Sequence, residues 1–188
     1  MRTEFFSYVD EAMECEGYVA TPTGLERPAP VILVCHAWGG QDDFARERAE
    51  ELAGLGYIGF AIDVYGKGRR GNSPEENGAL MTPFMQDRAL LRERLLAAIN
   101  TAKHLPLADP QHIGAVGFCF GGLCVLDLAR AAPHGLRGVV SFHGLFSPPD
   151  PKRVGAPGRI AAAVLALHGY DDPMCTPDAV VGLAKEMT

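Results

Sequence analysis

The strongest constraint on how this chain folds is a change of hydrophobic period that repeats along it. Val31–His36 is a short, continuous apolar run, and Asp43–Leu55 then carries apolar residues at helical spacing. Tyr57–Val64 is again strand-like, rich in aromatic and β-branched residues. Further on, Ile113–Gly117 reads as a strand, Gly121–Ala131 as a helix, and Gly138–Phe142 and Val164–His168 as two more strands. Short apolar runs bounded by turn signals are buried strands, and repeats of 3.6 are amphipathic helices. Their alternation predicts an α/β fold, with a mostly parallel sheet and helices on both faces. Ligands in such sheets sit at the carboxyl ends of the strands.

Between these elements the punctuation is also legible. Thr21–Pro30 is a Pro- and Gly-containing turn region after a first hairpin, and Tyr65–Asn77 is a polar, Gly-rich loop. Thr82 and Pro83 are placed as the cap and first turn of a long helix, with Leu90, Leu91, Leu95, Ala98 and Ile99 on its apolar face. That helix is expected to run to about Lys103, before Pro106. No internal repeat or low-complexity tract interrupts the pattern, so residues 1–188 are read as one domain.

A formal net charge of −6 argues against a general nucleic-acid or membrane-surface binder, because both partners select basic patches. No stretch approaches the roughly 20 apolar residues of a membrane span. Met1–Asp10 alternates polar and aromatic residues and lacks the apolar core of a signal peptide. The five cysteines, Cys15, Cys35, Cys119, Cys124 and Cys175, are odd in number and form no metal-type pair. Free thiols in a reducing, cytoplasmic compartment are therefore expected, with no metal and no cofactor.

Chemistry concentrates in three strand-end segments. The first is Ile113-Gly-Ala-Val-Gly117-Phe-Cys119-Phe-Gly121-Gly122, a G-x-C-x-G motif between a strand and a helix. A nucleophile elbow of this kind exposes its central side chain on a sharp turn, and flanking glycines relieve crowding. Cysteine serves there as a thiolate nucleophile. A helix starting after Cys119 favours that anion, and frees the Phe120 N–H for an oxyanion. Cys124, farther along the helix, reads as core.

The second segment, Cys35-His36-Ala37-Trp38-Gly39-Gly40, follows the first core strand. Ala37 is the candidate for a second oxyanion amide. His36 is expected to point into the site as a hydrogen-bond partner of Cys119, the alternative being a strand-end histidine satisfied by backbone. Trp38 reads equally as pocket wall or packing. The third segment, His168-Gly-Tyr-Asp171-Asp172-Pro173, places two carboxylates in a turn after a strand. Asp172 is the candidate acid and Asp171 the second choice. A simple Asp-Pro turn is the competing reading.

With these motifs in hand, the chain resembles the dienelactone hydrolases (carboxymethylenebutenolidases) of the α/β-hydrolase superfamily. The resemblance runs from about Cys15 to the end and rests on Gly117-Phe-Cys119-Phe-Gly-Gly122, Asp63-Val-Tyr-Gly66 and His168-Gly-Tyr-Asp-Asp172. It implies the α/β-hydrolase fold, Cys119 as nucleophile, Asp172 as triad acid, and Ala37 and Phe120 as oxyanion amides. It further implies hydrolysis of a small-molecule ester or lactone. Dienelactone hydrolases carry a glutamate where this chain has His36, so the family's way of activating the thiol is not carried over.

The base of such a triad is a histidine after the acid, and no histidine follows Asp172. Family members continue through a further strand and helix that hold it. Lys185–Thr188 reads as the middle of a helix, so the domain is expected to be C-terminally incomplete. His36 and His143, the latter in Ser141-Phe-His143-Gly144 at a strand end, are the substitutes within the chain. Three readings follow: a hydrolase lacking its last elements, a non-catalytic ligand-binding or interaction protein of the same fold, or a homo-oligomer in which a second copy supplies the base. Lys67, Arg69 and Arg70 read as a solvated loop rather than an anion site.

Overall fold

A computed structural model describes residues 1–11, 13–154 and 159–187. Strands β1 (Arg2–Asp10) and β2 (Met13–Thr21) form the expected N-terminal hairpin. They are followed by β3 (Ala29–Cys35), α1 (Asp43–Gly54) and β4 (Ile58–Ala61). Helices α2 (Pro74–Gln86) and α3 (Arg88–Lys103) lead to β5 (Ala108–Phe118), α4 (Phe120–Ala131) and β6 (Leu136–Phe142). The short α5 (Pro151–Val154), β7 (Ala163–Leu167) and α6 (Pro177–Glu186) complete the order, and Thr188 lies outside the described residues.

The seven strands form one sheet in the order β1-β2-β4-β3-β5-β6-β7. Strands β4, β3, β5, β6 and β7 run parallel, and the β1–β2 hairpin joins antiparallel through β4. Side chains alternate across the sheet with the strand period of two. Val31 and Leu33 of β3 meet the α3 and α4 side, where Leu91, Leu95, Ile99 and Leu123 fill the main core. Val34 points the other way, onto Ala45, Ala49 and Ala53 of α1. The predicted helices on both faces are present.

The helical region before β5 departs from expectation. One helix was expected from Thr82 to Lys103, but the chain forms two. Ser73 caps the first by accepting the Glu76 N–H at 3.2 Å, with Pro74 at the first turn. Asp87 caps the second by accepting the N–H groups of Ala89 and Leu90. Thr82 and Pro83 therefore lie inside α2, where the Thr82 hydroxyl donates to the Gly78 carbonyl at 2.7 Å.

Helix α4 is buried along nearly its whole length. Arg88 of α3 forks onto Asp127 of α4 through two bonds of 2.6 Å. Arg130 bonds Asp127, the Phe146 carbonyl and Glu186 of α6. These charges tie three helices together around the element that carries the nucleophile motif. On the opposite face α1 covers β2, β3 and β4. Leu165 and Leu167, on the edge strand β7, are 52% and 43% exposed.

Candidate active site

Parallel pairing brings the candidate residues to one rim. Cys35 of β3 pairs with Gly117 of β5, so Ala37 and Cys119 each stand two residues beyond paired positions. The Cys119 N–H donates to the Phe142 carbonyl at 3.0 Å, and the His143 N–H to the Leu167 carbonyl at 2.9 Å. The carboxyl ends of β5, β6 and β7 are thus laced together at this rim.

Cys119 occupies the turn between β5 and α4 with φ 56° and ψ −115°, a left-handed backbone that ordinary side chains rarely adopt. The flanking glycines are dictated by packing. A Cβ on Gly117 would lie 2.0 Å from the Gly121 carbonyl oxygen, and one on Gly121 would lie 2.1 Å from that of Cys35. Only hydrogen fits, and the strand ends close around the turn. Cys119 is also set apart among the five thiols. It is half-buried, whereas Cys15, Cys35, Cys124 and Cys175 are buried. Burial pushes the Cys35 thiol up to about 12 and raises the other three as well.

The two candidate amides lie on different elements that meet near this turn. Phe120 opens α4, where first-turn N–H groups lack helical acceptors and favour negative charge. Ala37 lies in the loop packed onto Gly121. Neither N–H has a backbone partner among the described residues.

His36 is 1% exposed, and both ring nitrogens are engaged by backbone. Nδ1 lies 2.6 Å from the Ala37 carbonyl oxygen, and Nε2 accepts the Val64 N–H at 3.2 Å. The expected hydrogen bond to Cys119 is not among those of the described residues. The physical reason is saturation: a neutral imidazole has one donor and one acceptor, and both are spent on the main chain. Burial, the largest influence, holds its pKa below the usual imidazole range, partly offset by the Ala37 bond and by Asp63.

Tyr65, read from sequence as part of a polar loop, is instead 1% exposed and donates its hydroxyl to the Trp38 carbonyl at 2.9 Å. Its motif, Asp63-Val-Tyr-Gly66, was the available signal. The Asp63 carboxylate accepts the N–H groups of Glu16, Tyr65 and Gly66 and so fixes that turn. The Trp38 side chain is 38% exposed at the rim.

On the far side, Asp172 accepts the Met174 N–H at 2.8 Å with Oδ1, while its own N–H donates to the Gly169 carbonyl at 3.3 Å. This is a turn-stabilising role for one carboxylate oxygen. Asp171 is exposed. His143 is exposed at φ 40°, held at the rim by its backbone. No hydrogen bond joins Cys119 to His143 or Asp172 among the described residues. Lys67 pairs with Glu14 and Glu16, and Arg70 with Asp63. A cavity of about 470 Å³ between α3, α4 and α6 is lined by none of the candidate residues.

The model of the dienelactone hydrolase family matches residues 15–188. The chain belongs to this family. The family's α/β-hydrolase fold is the one observed. A dienelactone hydrolase-like promiscuous phosphotriesterase from metagenomic libraries has a solved structure 32% identical in sequence. It superposes with a TM-score of 0.90, covering 98% of this chain and 75% of that one. A Synechocystis protein described as a putative carboxymethylenebutenolidase is 28% identical over 183 residues, 92% of this chain and 73% of that protein. An uncharacterized Caenorhabditis elegans protein is 53% identical over 58 residues, 31% of this chain and 37% of its own length. The chain thus spans about a third to three quarters of these relatives.

Proposed function

We propose that this family member transfers the acyl group of a small ester or lactone onto Cys119, with water as the final acceptor. The observation that carries the reading is the elbow: a half-buried thiol on a left-handed turn at the start of α4. The Cys119 thiolate attacks the carbonyl carbon, and the S–C bond forms as the oxyanion settles on the Ala37 and Phe120 N–H groups. Collapse breaks the C–O bond and expels the alkoxide or enolate, leaving a thioester. Water then cleaves it, returning the thiol and releasing the carboxylic acid.

Asp172 is proposed as the acid that orients a base. His143, exposed at the end of β6, is the proposed acceptor of the proton of the attacking water. Enol-lactones, which release a stabilised enolate, suit a thiol nucleophile better than simple alkyl esters. Free cysteines support a cytoplasmic setting. That no hydrogen bond joins Cys119 to His143 or Asp172 among the described residues favours a second reading, ligand binding without turnover.

Rapid mixing with 4-nitrophenyl acetate tests the first reading. Release of about one equivalent of 4-nitrophenol per chain, abolished in Cys119→Ala, is expected. Release no faster than in Cys119→Ala would support the binding reading instead.

A further inference from the structure

Three successive carbonyls of the loop after β3 each accept a hydrogen bond, two of them from the loop after β4. The Ala37 oxygen accepts from His36 Nδ1 at 2.6 Å and from the Gly40 N–H at 3.2 Å. The Trp38 oxygen accepts from the Tyr65 hydroxyl at 2.9 Å, and the Gly39 oxygen from the Gly71 N–H at 3.0 Å. The two side chains in this set touch each other: the His36 and Tyr65 rings pack edge to face with centroids 4.8 Å apart. His36 is itself anchored to the loop after β4 through the Val64 N–H. Phe120, whose amide is the other oxyanion candidate, lies with its ring 6.3 Å from that of His36.

We infer that His36 is a positioning residue for acyl transfer, clamping the loop so that the Ala37 N–H stays aimed at the oxyanion, and that it does so only as the neutral imidazole. This rests on the proposed acylation of Cys119. The hydrogen-bond pattern specifies the tautomer. Nδ1 must carry hydrogen to donate to a carbonyl, and Nε2 must be bare to accept an N–H. A second proton would set Nε2–H against Val64 N–H, with no acceptor between them. The charged groups facing the ring are Asp63 and Arg70 after β4 and Asp42 before α1; Asp63 and Asp42 favour the imidazolium, and Arg70 and burial oppose it. The Tyr65 phenol is held neutral by burial, and α4 presents the uncharged Phe120.

Oxyanion alignment separates two reactions of the same sulfur. Acylation by 4-nitrophenyl acetate passes through an oxyanion. Alkylation by iodoacetamide forms S–C as C–I breaks, with none. The ratio of the two rate constants at Cys119 cancels thiolate fraction and access. His36→Leu is expected to lower that ratio roughly 10- to 100-fold, the scale of a displaced oxyanion donor. His36→Asn, whose amide N–H can replace Nδ1–H toward the Ala37 oxygen, is expected to restore part of it. In the wild type the ratio is expected to be level above about pH 6.5 and to fall in acid, a fall that His36→Asn lacks. The acid limb needs no variant, so a poorly folding His36→Leu leaves the test intact.

Equal loss of both rates in His36→Leu would make His36 a thiol activator and overturn the inference. So would a ratio unchanged by His36→Leu and by acid. Wild-type protein that alkylates but takes no acyl group would overturn the proposed function and the clamp together.

Discussion

Gly121 and Cys35 meet so closely that a single methyl group between them is excluded: a Cβ on Gly121 would stand 2.1 Å from the Cys35 carbonyl oxygen. This contact seats the first turn of α4 against the end of β3. It thereby brings the Phe120 amide, on one element, beside the loop that carries the Ala37 amide, on another. The proposed two-amide site depends on this position having no side chain.

Gly121→Ala is accordingly expected to force backbone apart rather than to fill space. Overpacking of this kind costs about 1–3 kcal/mol, and a clash with main chain belongs at or above the upper end. Urea denaturation reads the loss. The stopped-flow burst is expected to shrink in the fraction that remains folded, because the two amides no longer converge.

Asp127 is 4% exposed and lies between Arg88, 9% exposed, and Arg130, 4% exposed. Asp127→Asn leaves two buried guanidinium groups short of their carboxylate. Breaking a buried ion pair from one side costs about 3–5 kcal/mol. The expected result is a large drop in urea midpoint, with α6 released first because Arg130 also holds Glu186. Hydrogen exchange along residues 177–186 reports that order.

The folded-state pKa of His36 lies below its unfolded value, chiefly through burial. Below about pH 6.5 the unfolded chain therefore binds a proton that the native state refuses. The His36 contribution to stability is full above that pH and is lost as pH falls toward the lowered native value. Urea midpoints measured between pH 7.5 and 5.5 should fall more steeply for the wild type than for His36→Asn.

Thiol labelling provides a separate check on the choice of nucleophile. Cys35, with its thiol pushed up to about 12, and the other buried cysteines are expected to stay unmodified in the native protein. Brief exposure to iodoacetamide should modify Cys119 alone, as peptide mapping would reveal.

Much of the fold was legible because strands and helices write different periods into the sequence. The parallel core, the hairpin and the strand–turn–helix around Cys119 all follow from local pattern. The division between α2 and α3 did not, because Ser73-Pro74 starts a helix inside a stretch whose glycines read as loop. Thr82-Pro83 offers the same cap-and-proline signal in the wrong place. At the candidate site, the positions of Cys119 and Phe120 on a strand–turn–helix and of Ala37 beyond a strand end were readable, while their roles are proposals. The engagement of His36 was not. Its partners Val64 and Tyr65 come from the loop after β4, and which backbone groups fill an imidazole is decided only by tertiary packing. Tyr65 was missed for the same reason, its burial set by Phe84 and Phe120 stacking on its ring.

The most direct test of Cys119 as the acyl acceptor is intact mass after brief exposure to 4-nitrophenyl acetate, with Cys119→Ala treated in parallel. The proposed chemistry predicts one acetyl group, mapped to the peptide containing Cys119 and missing from the variant. An unmodified wild type, or an adduct that Cys119→Ala carries equally, would contradict it.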